Sequence, residues 1–369
     1  MKILYVTTVG LTMTFFGSII RELLDKGHTV DIACNESDSQ VPDCYRDWGC
    51  GIHRIDCVRT PFAAGNARAV GQIRRLVREN GYGIVHCHTP IAAACTRLAC
   101  KDLRKEGVRV FYTAHGFHFY KGAPLKSWLL YYPIEKLCAH FTDTLITINR
   151  EDYALAKRKM KAGQVVYVPG VGIDVDKFRN TVVDRPAKRK ELGIPEDEFL
   201  LLSVGELNEN KNHQIVIRTL AELNDPSIHY AIAGNGALAE YLTALAEQLG
   251  VADRVHLLGY RRDVAELYKT ADVDVFPSIR EGLGLAAIEG MAAGMPLICS
   301  DNRGTRDYAV NGMNALVCGN VGDYAEAISR LRVDHQLREE LGRAGSQSAE
   351  RFSVGEVNRE MLRVYTELL

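Results

Sequence analysis

The chain has 369 residues, with 45 Lys and Arg against 46 Asp and Glu, a formal net charge of −1 and 47% apolar residues. That length gives a prior of two domains, each able to bury its own core. A charge this close to zero leaves no argument for bulk nucleic-acid binding, and the lack of any run of about 18 apolar residues predicts no membrane-spanning helix.

The N-terminus, Met1 to Val6, reads as a strand over 2–7, without the layout of a cleavable signal peptide. A small-residue loop containing Gly10 follows at 9–14, then a helix to Asp25. Gly27 closes that helix, and His28 to Cys34 resume a strand. The same punctuation recurs as helix, glycine and short apolar run. Arg74 to Asn80 leads to Ile84–His86, Leu103 to Glu106 to Val108–Tyr112, and Leu245 to Leu249 to Val255–Leu258. Strands alternating with helices of about ten to fifteen residues indicate βαβ units and parallel sheets. Ten cysteines occur, eight before residue 140, with no C-x-x-C pair. Reduced, buried thiols in the cytoplasm are therefore expected, without zinc or redox motifs.

His86 and His88 share a strand face and so could hold one ion. No third ligand stands at suitable spacing, and no metal site is expected. Arg68, Arg74, Arg75 and Arg78 lie on one predicted helix, and Arg97, Lys101, Arg104 and Lys105 crowd another. The segment 117–133 carries Phe117, Phe119, Tyr120, Trp128, Tyr131 and Tyr132 with Lys121 and Lys126. Basic residues with interfacial aromatics suit an anionic membrane surface; a solvated basic face over an aromatic core is the second reading. His115 follows the strand Val108–Tyr112, and ligands of open α/β sheets sit beyond such carboxyl ends. His115 is thus placed for function, with His118 able to compete and a structural role open for both.

A connector over 168–174 separates two predicted domains, 1–170 and 171–352. A closing helix spans 353–369, with Val357, Met361, Val364, Tyr365 and Leu368 on its apolar face. In the second domain, Phe199–Val204 is a strand, and the turn Gly205 to Asn212 leads into a helix over 214–223. Lys211 at that helix start is poorly placed against the macrodipole, so it is either a ligand group or a solvated lysine. Gly234 and Gly236 mark another strand-to-helix turn, and Tyr260 follows the strand ending at Leu258. Val273–Phe276 is a buried strand stopped by Pro277. Glu281, Gly282, Leu283 and Gly284 form a loop, and a helix from Leu285 ends at Gly294. Such a loop lets backbone approach a ligand, and the helix start suits a phosphate. Glu281 and Glu289 offer carboxylates to hydroxyl groups. The pattern fits a phosphorylated, polyhydroxylated ligand, although a glutamate near a helix start is also favoured by the dipole alone.

The run P-S-x-x-E-G-x-G-L-x-x-x-E from Pro277 to Glu289 resembles the E-x7-E signature of retaining glycosyltransferases of family 4, with the two-domain GT-B fold. Residues 205–212 resemble the family's G-R-L-x-x-x-K-N turn. Lys211 matches, and Glu206 stands where Arg is usual. A carboxylate there would repel a diphosphate, so Glu206 must point elsewhere or be balanced, with Arg280 as one candidate. Residues 168–178 resemble the segment that ends the first domain, and 303–307 partly match G-G-x-x-E, with Asp307 read as structural. Residues 117–133 resemble the exopolysaccharide and capsule branch.

The resemblance implies an α/β protein with two Rossmann-like parallel-sheet domains facing a central cleft, the first binding acceptor and the second nucleotide-sugar. The terminal helix crosses back to the first domain. The expected reaction is transfer of a hexose, with retention, from a UDP-sugar to a lipid-linked saccharide in bacterial polysaccharide synthesis, with neither cofactor nor metal. His115, Lys211 and Glu281 are implied in catalysis. Gly10, Gly205, Gly234, Gly236, Tyr260, Arg280, Gly282, Leu283, Gly284 and Glu289 are implied around the donor, and His88 and His118 on the acceptor side. The expected location is cytoplasmic, peripheral on the inner membrane face. A nucleotide-sugar 2-epimerase and a catalytically silent nucleotide-sugar-binding partner are the alternatives, the latter because of Glu206.

Overall fold

A computed structural model describes residues 1–366. The alternation of apolar runs with amphipathic helices produces two all-parallel sheets. The chain divides into one unit of Met1–Gly172 with the helix Val354–Thr366, and a second unit of Ile173–Ser353.

In the first unit the strands are β1 (Lys2–Val9), β2 (Thr29–Asn35), β3 (Ile52–Arg54), β4 (Ile84–His88), β5 (Arg109–Ala114), β6 (Thr144–Thr147) and β7 (Gln164–Tyr167), in the order β3-β2-β1-β4-β5-β6-β7. Both faces of this sheet are covered, so β4 is buried along its whole length, as parallel strands require. Alternate residues feed different cores. Leu4, Val6, Val85 and Val110 pack with Ile73 and Val77 of the helix Ala64–Asn80, and with Ala92 of the helix Pro90–Cys100. Ile3, Tyr5, Ile32 and Phe111 pack with Ile20 and Leu23 of the helix Gly17–Asp25, and with Met361, Val364 and Tyr365 of the terminal helix. Leu368 lies outside the described residues.

The second unit holds β8 (Phe199–Val204), β9 (Ile228–Ala233), β10 (Val255–Gly259), β11 (Val273–Phe276), β12 (Leu297–Ser300) and β13 (Leu316–Cys318), in the order β10-β9-β8-β11-β12-β13. In each sheet the winding reverses at one place, between β1 and β4 and between β8 and β11. Loops leaving neighbouring strands in opposite directions open a crevice there, at the strands' carboxyl ends.

Two local expectations shift. The loop after β1 is a 3-10 helix, Gly10–Phe15, and β1 runs on to Val9. Leu103–Glu106 is also 3-10 rather than α. All ten cysteines are free, and nine are buried.

Candidate active site

In the second unit the reversal point is built from three loops tied by backbone. Gly205 N–H donates to the Ala233 carbonyl at 3.0 Å, Leu207 N–H to the Asn235 carbonyl at 3.0 Å, and Leu238 N–H to the Leu207 carbonyl at 3.0 Å. Gly234 and Gly236 permit this; a Cβ on Gly236 would lie 2.6 Å from the Leu207 nitrogen. The loop after β11 joins the same frame. Ile279 N–H donates to the Asn210 carbonyl at 2.8 Å, and the Asn210 amide donates to the Arg280 carbonyl at 2.8 Å.

This frame brings Lys211 and Glu281 together. Lys211 Nζ donates to Glu281 Oε1 at 2.8 Å, with the two side chains 20% and 15% exposed. The ammonium also lies 5.0 Å from the centre of the Phe276 ring. Lys211 is aimed by its own loop: its N–H donates to Asn208 Oδ1 at 3.0 Å, and Asn212 turns the chain at φ 54 into the helix His213–Leu223, a conformation asparagine tolerates. Beneath it, His213 bonds Tyr230 Oη at 3.0 Å, and burial holds its pKa down to about 4.

Gly284, at φ 93, carries the chain into the helix Leu285–Ala292. A Cβ there would sit 2.8 Å from the Phe276 ring and 2.9 Å from Tyr308 Oη, so glycine is needed on both counts. Leu283 is buried. Glu289 lies further along this helix, with Asp274, Tyr268 and Lys177 as its charged and titratable neighbours. Burial raises its pKa to about 7 against the opposing pull of Lys177. Asp274, wholly buried beside it, is raised as well, by burial first and then by Glu289.

Glu206 is exposed, so its carboxylate is solvated. Arg280 is exposed too. The cation inserted beside Glu281 is instead Arg303, 5% exposed, whose Nε donates to the Glu281 carbonyl at 3.1 Å. Asn302 holds the neighbouring turn. Its amide donates to the Ser278 carbonyl at 2.9 Å, and its Oδ1 accepts from Gly304 N–H at 2.9 Å. Neither Asn302 nor Arg303 was singled out for a site role from sequence. The available signal is a polar Asp-Asn-Arg run at the carboxyl end of a buried strand. Tyr260 stands 71% exposed beyond β10.

In the first unit the crevice lies between the ends of β1 and β4. A cavity of about 310 Å³ there is lined by Thr8, Thr12, Arg59, Thr89, His118 and Tyr131, among others. Thr89 adopts φ 62, a strained geometry for a β-branched residue. Its hydroxyl, 2.7 Å from Thr8 Oγ1, donates to the His88 carbonyl at 2.5 Å.

His118 thus lines the cavity, whereas His88 does not. Only 1% exposed, His88 stacks on Tyr5 at 5.3 Å and packs on Phe16 at 4.2 Å, behind the cavity wall. Its ring faces inward from β4. His88 Nδ1 and His115 Nε2 are 3.2 Å apart. Burial holds His115 down to about 4 and His86 to about 3, and lowers His88 well below the usual histidine value, so all three rings are neutral near pH 7. His86 is tied through Nδ1 to Tyr365 Oη at 2.6 Å and through Nε2 to Thr113 Oγ1 at 2.8 Å. Among the described residues no cluster of three or more His, Cys, Asp or Glu is arranged to hold a metal ion. Gly10 is buried against the backbone of residues 39–41.

The basic and aromatic reading of this unit divides. Arg97 is 1% exposed and pairs with Glu135 at 2.8 Å, Arg104 pairs with Asp143 at 2.7 Å, and Arg78 with Glu106 at 3.2 Å. Phe117 and Phe119 are core residues. Arg97, Phe117 and Phe119 are therefore removed from any membrane-facing set. Among the described residues no helix is long and apolar enough to cross a membrane.

Two parallel-sheet units, each with a crevice at its reversal point and one presenting a lysine–glutamate pair beside a helix start, define a doubly wound α/β protein whose ligand clefts lie at the strand ends. Residues 13–170 match the family described as Glycosyl transferase 4-like domain, and residues 184–348 match Glycosyl transferases group 1. The chain is 41% identical over 314 residues to the Bacillus subtilis (strain 168) protein named "Putative glycosyltransferase EpsD", covering 84% of this chain and 82% of the relative. It is 29% identical over 279 residues to the Escherichia coli UDP-Gal:alpha-D-GlcNAc-diphosphoundecaprenol alpha-1,3-galactosyltransferase, covering 71% and 69%. The structure of Anabaena Alr3699/HepE in complex with UDP and glucose superposes with a TM-score of 0.82 over the full length of both chains, at 17% identity. The chain belongs to the group 1 glycosyltransferases, and its fold is GT-B.

Proposed function

We propose that this glycosyltransferase transfers a hexose from a UDP-sugar to a diphospholipid-linked saccharide during exopolysaccharide synthesis, with retention of configuration. The observation that carries the donor reading is the Lys211–Glu281 pair at the β8/β11 reversal point. A diphosphate arriving beside the start of the helix Leu285–Ala292 competes with Glu281 for Lys211. The lysine then stabilises charge developing on the leaving phosphate, a term worth on the order of 3 kcal/mol. Glu281, released, accepts hydrogen bonds from the sugar's hydroxyls. The backbone at Gly205, Gly234, Gly236, Gly282, Leu283 and Gly284 shapes the phosphate cradle, and Glu289 takes the ribose. His115 serves the transferred sugar as a neutral ring. The lipid-linked acceptor is supported by the substrate named for the Escherichia coli relative, and the exopolysaccharide setting by the EpsD relative. Neither a metal nor another cofactor has a role in this reading, and the protein works at the inner membrane face.

The test is product analysis after incubation with UDP-hexoses and a diphospholipid-linked saccharide. Transfer to the lipid with an α-linkage from an α-linked donor is expected. Release of free sugar or epimer with the acceptor untouched contradicts the reading, as does nucleotide-sugar binding without turnover.

A further inference from the structure

The cavity between β1 and β4 does not end at the sheet. Pro61, Pro90, Ile91 and Tyr131 line it and also line a second cavity of about 220 Å³, so the two adjoin. The second is a groove between the helices Ala64–Asn80, Pro90–Cys100 and Leu125–Ala139. Phe62, Val70, Ala94, Leu98, Leu130 and Ile134 form its walls. Its one charged lining residue, Glu135, is neutralised by Arg97 at 2.8 Å. The cavity beside it carries Arg59, which is exposed, together with Thr8, Thr12, Thr89 and His118.

The surface beside the groove carries large apolar side chains among lysines. The helix Leu125–Ala139 is apolar on nearly every side, a pattern normally reserved for helices buried all round. Yet Leu125 is 72% exposed, Leu129 69% and Leu137 56%, and Phe62 at the groove is 81% exposed. Large exposed apolar side chains gathered on one helix beside an apolar groove suit an interaction site.

We infer that this groove seats the polyisoprenyl chain of the acceptor, with its diphosphate in the adjoining cavity beside Arg59. The inference rests on the lipid-linked acceptor proposed above and names where its lipid is held. An apolar slot that shares wall residues with a cavity carrying an exposed arginine suits one molecule with an apolar tail and an anionic head. A polyisoprenyl chain, apolar along its whole length, matches walls formed almost entirely by apolar side chains. Leu125, Leu129 and Leu137 then face the bilayer from which the tail emerges, with Lys121, Lys126 and Lys136 exposed beside them.

Calorimetric titration with farnesyl diphosphate, farnesol and inorganic diphosphate tests this. Farnesyl diphosphate should bind at least about tenfold tighter than inorganic diphosphate, the scale of burying a few methylene groups. Ala94→Trp, which fills the groove, should remove that advantage. Phe62→Ser, at a position too exposed to threaten folding, should reduce it by about fivefold. Arg59→Ala should weaken farnesyl diphosphate and leave farnesol unchanged. Farnesyl diphosphate that binds no better than inorganic diphosphate overturns the assignment. So does equal binding by wild type and both groove variants. Loss of binding to phosphatidylglycerol vesicles in Phe62→Ser, with farnesyl diphosphate affinity unchanged, would mean that the patch meets only the bilayer. UDP is titrated separately. Absent UDP binding with intact groove binding fails the donor reading alone, and the reverse fails the groove alone.

Discussion

Glu289 carries a carboxyl that burial raises to about 7. In the unfolded chain the same group ionises near the ordinary glutamate value of about 4.3. Between these values the unfolded state has released its proton while the folded state keeps it. Stability from this group is therefore complete below the lower value and is lost as pH rises toward 7. Glu289→Gln should flatten that fall, and at pH 8 the variant should melt above the wild type. A lower melting temperature for the variant at pH 8 would show that the carboxylate is stabilised by Lys177 more than burial opposes it. Because a carboxylate is the better acceptor for hydroxyls, donor binding at pH 7 should also release a proton. That release is measurable by calorimetry in buffers of different ionisation enthalpy.

At the scale of elements, the donor crevice depends on backbone closeness more than on side chains. Gly236→Ala places a methyl group against the Leu207 backbone, where neither partner is a flexible side-chain tip. Overpacking of this kind costs about 1–3 kcal/mol, so thermal unfolding should show a melting temperature lowered by several degrees. An unchanged value would mean that the two loops separate freely. The strand–loop–helix unit around Glu281 was legible from sequence because its signals agree: an apolar run, a proline stop, glycines and a helical stripe. Arg303 was not legible, because its role depends on where β12 delivers it beside Glu281, a non-local fact. The surroundings of His88 are non-local in the same way. Alternation along β4 says that His86 and His88 share a face, but not that this face is packed by Tyr5, Phe16 and Tyr365. The aromatic run at 117–132 reads alike as membrane surface and as core, and burial decides for core at Phe117 and Phe119.

At the scale of the whole molecule, the chain's last helix completes the core of the first unit. Tyr365 bonds both Tyr5 Oη, at 2.7 Å, and His86 Nδ1, joining sequence positions 360 and 279 residues apart. Tyr365→Phe strands two buried polar atoms at about 1–3 kcal/mol, and chemical denaturation should show that loss; a neutral effect would mean that water replaces the hydroxyl. The larger architecture was readable from the recurrence of helix, glycine and strand, and the two sheets follow from it. The claim on which the rest depends is that the β8/β11 crevice holds a nucleotide-sugar through Lys211. It is tested most directly by thermal unfolding of wild type and Lys211→Ala with UDP, GDP, ADP and their hexose conjugates. UDP species at 100 times Kd should stabilise the wild type by about 2.7 kcal/mol, and the variant far less. A wild type indifferent to every nucleotide, or a variant stabilised as strongly as the wild type, would contradict it.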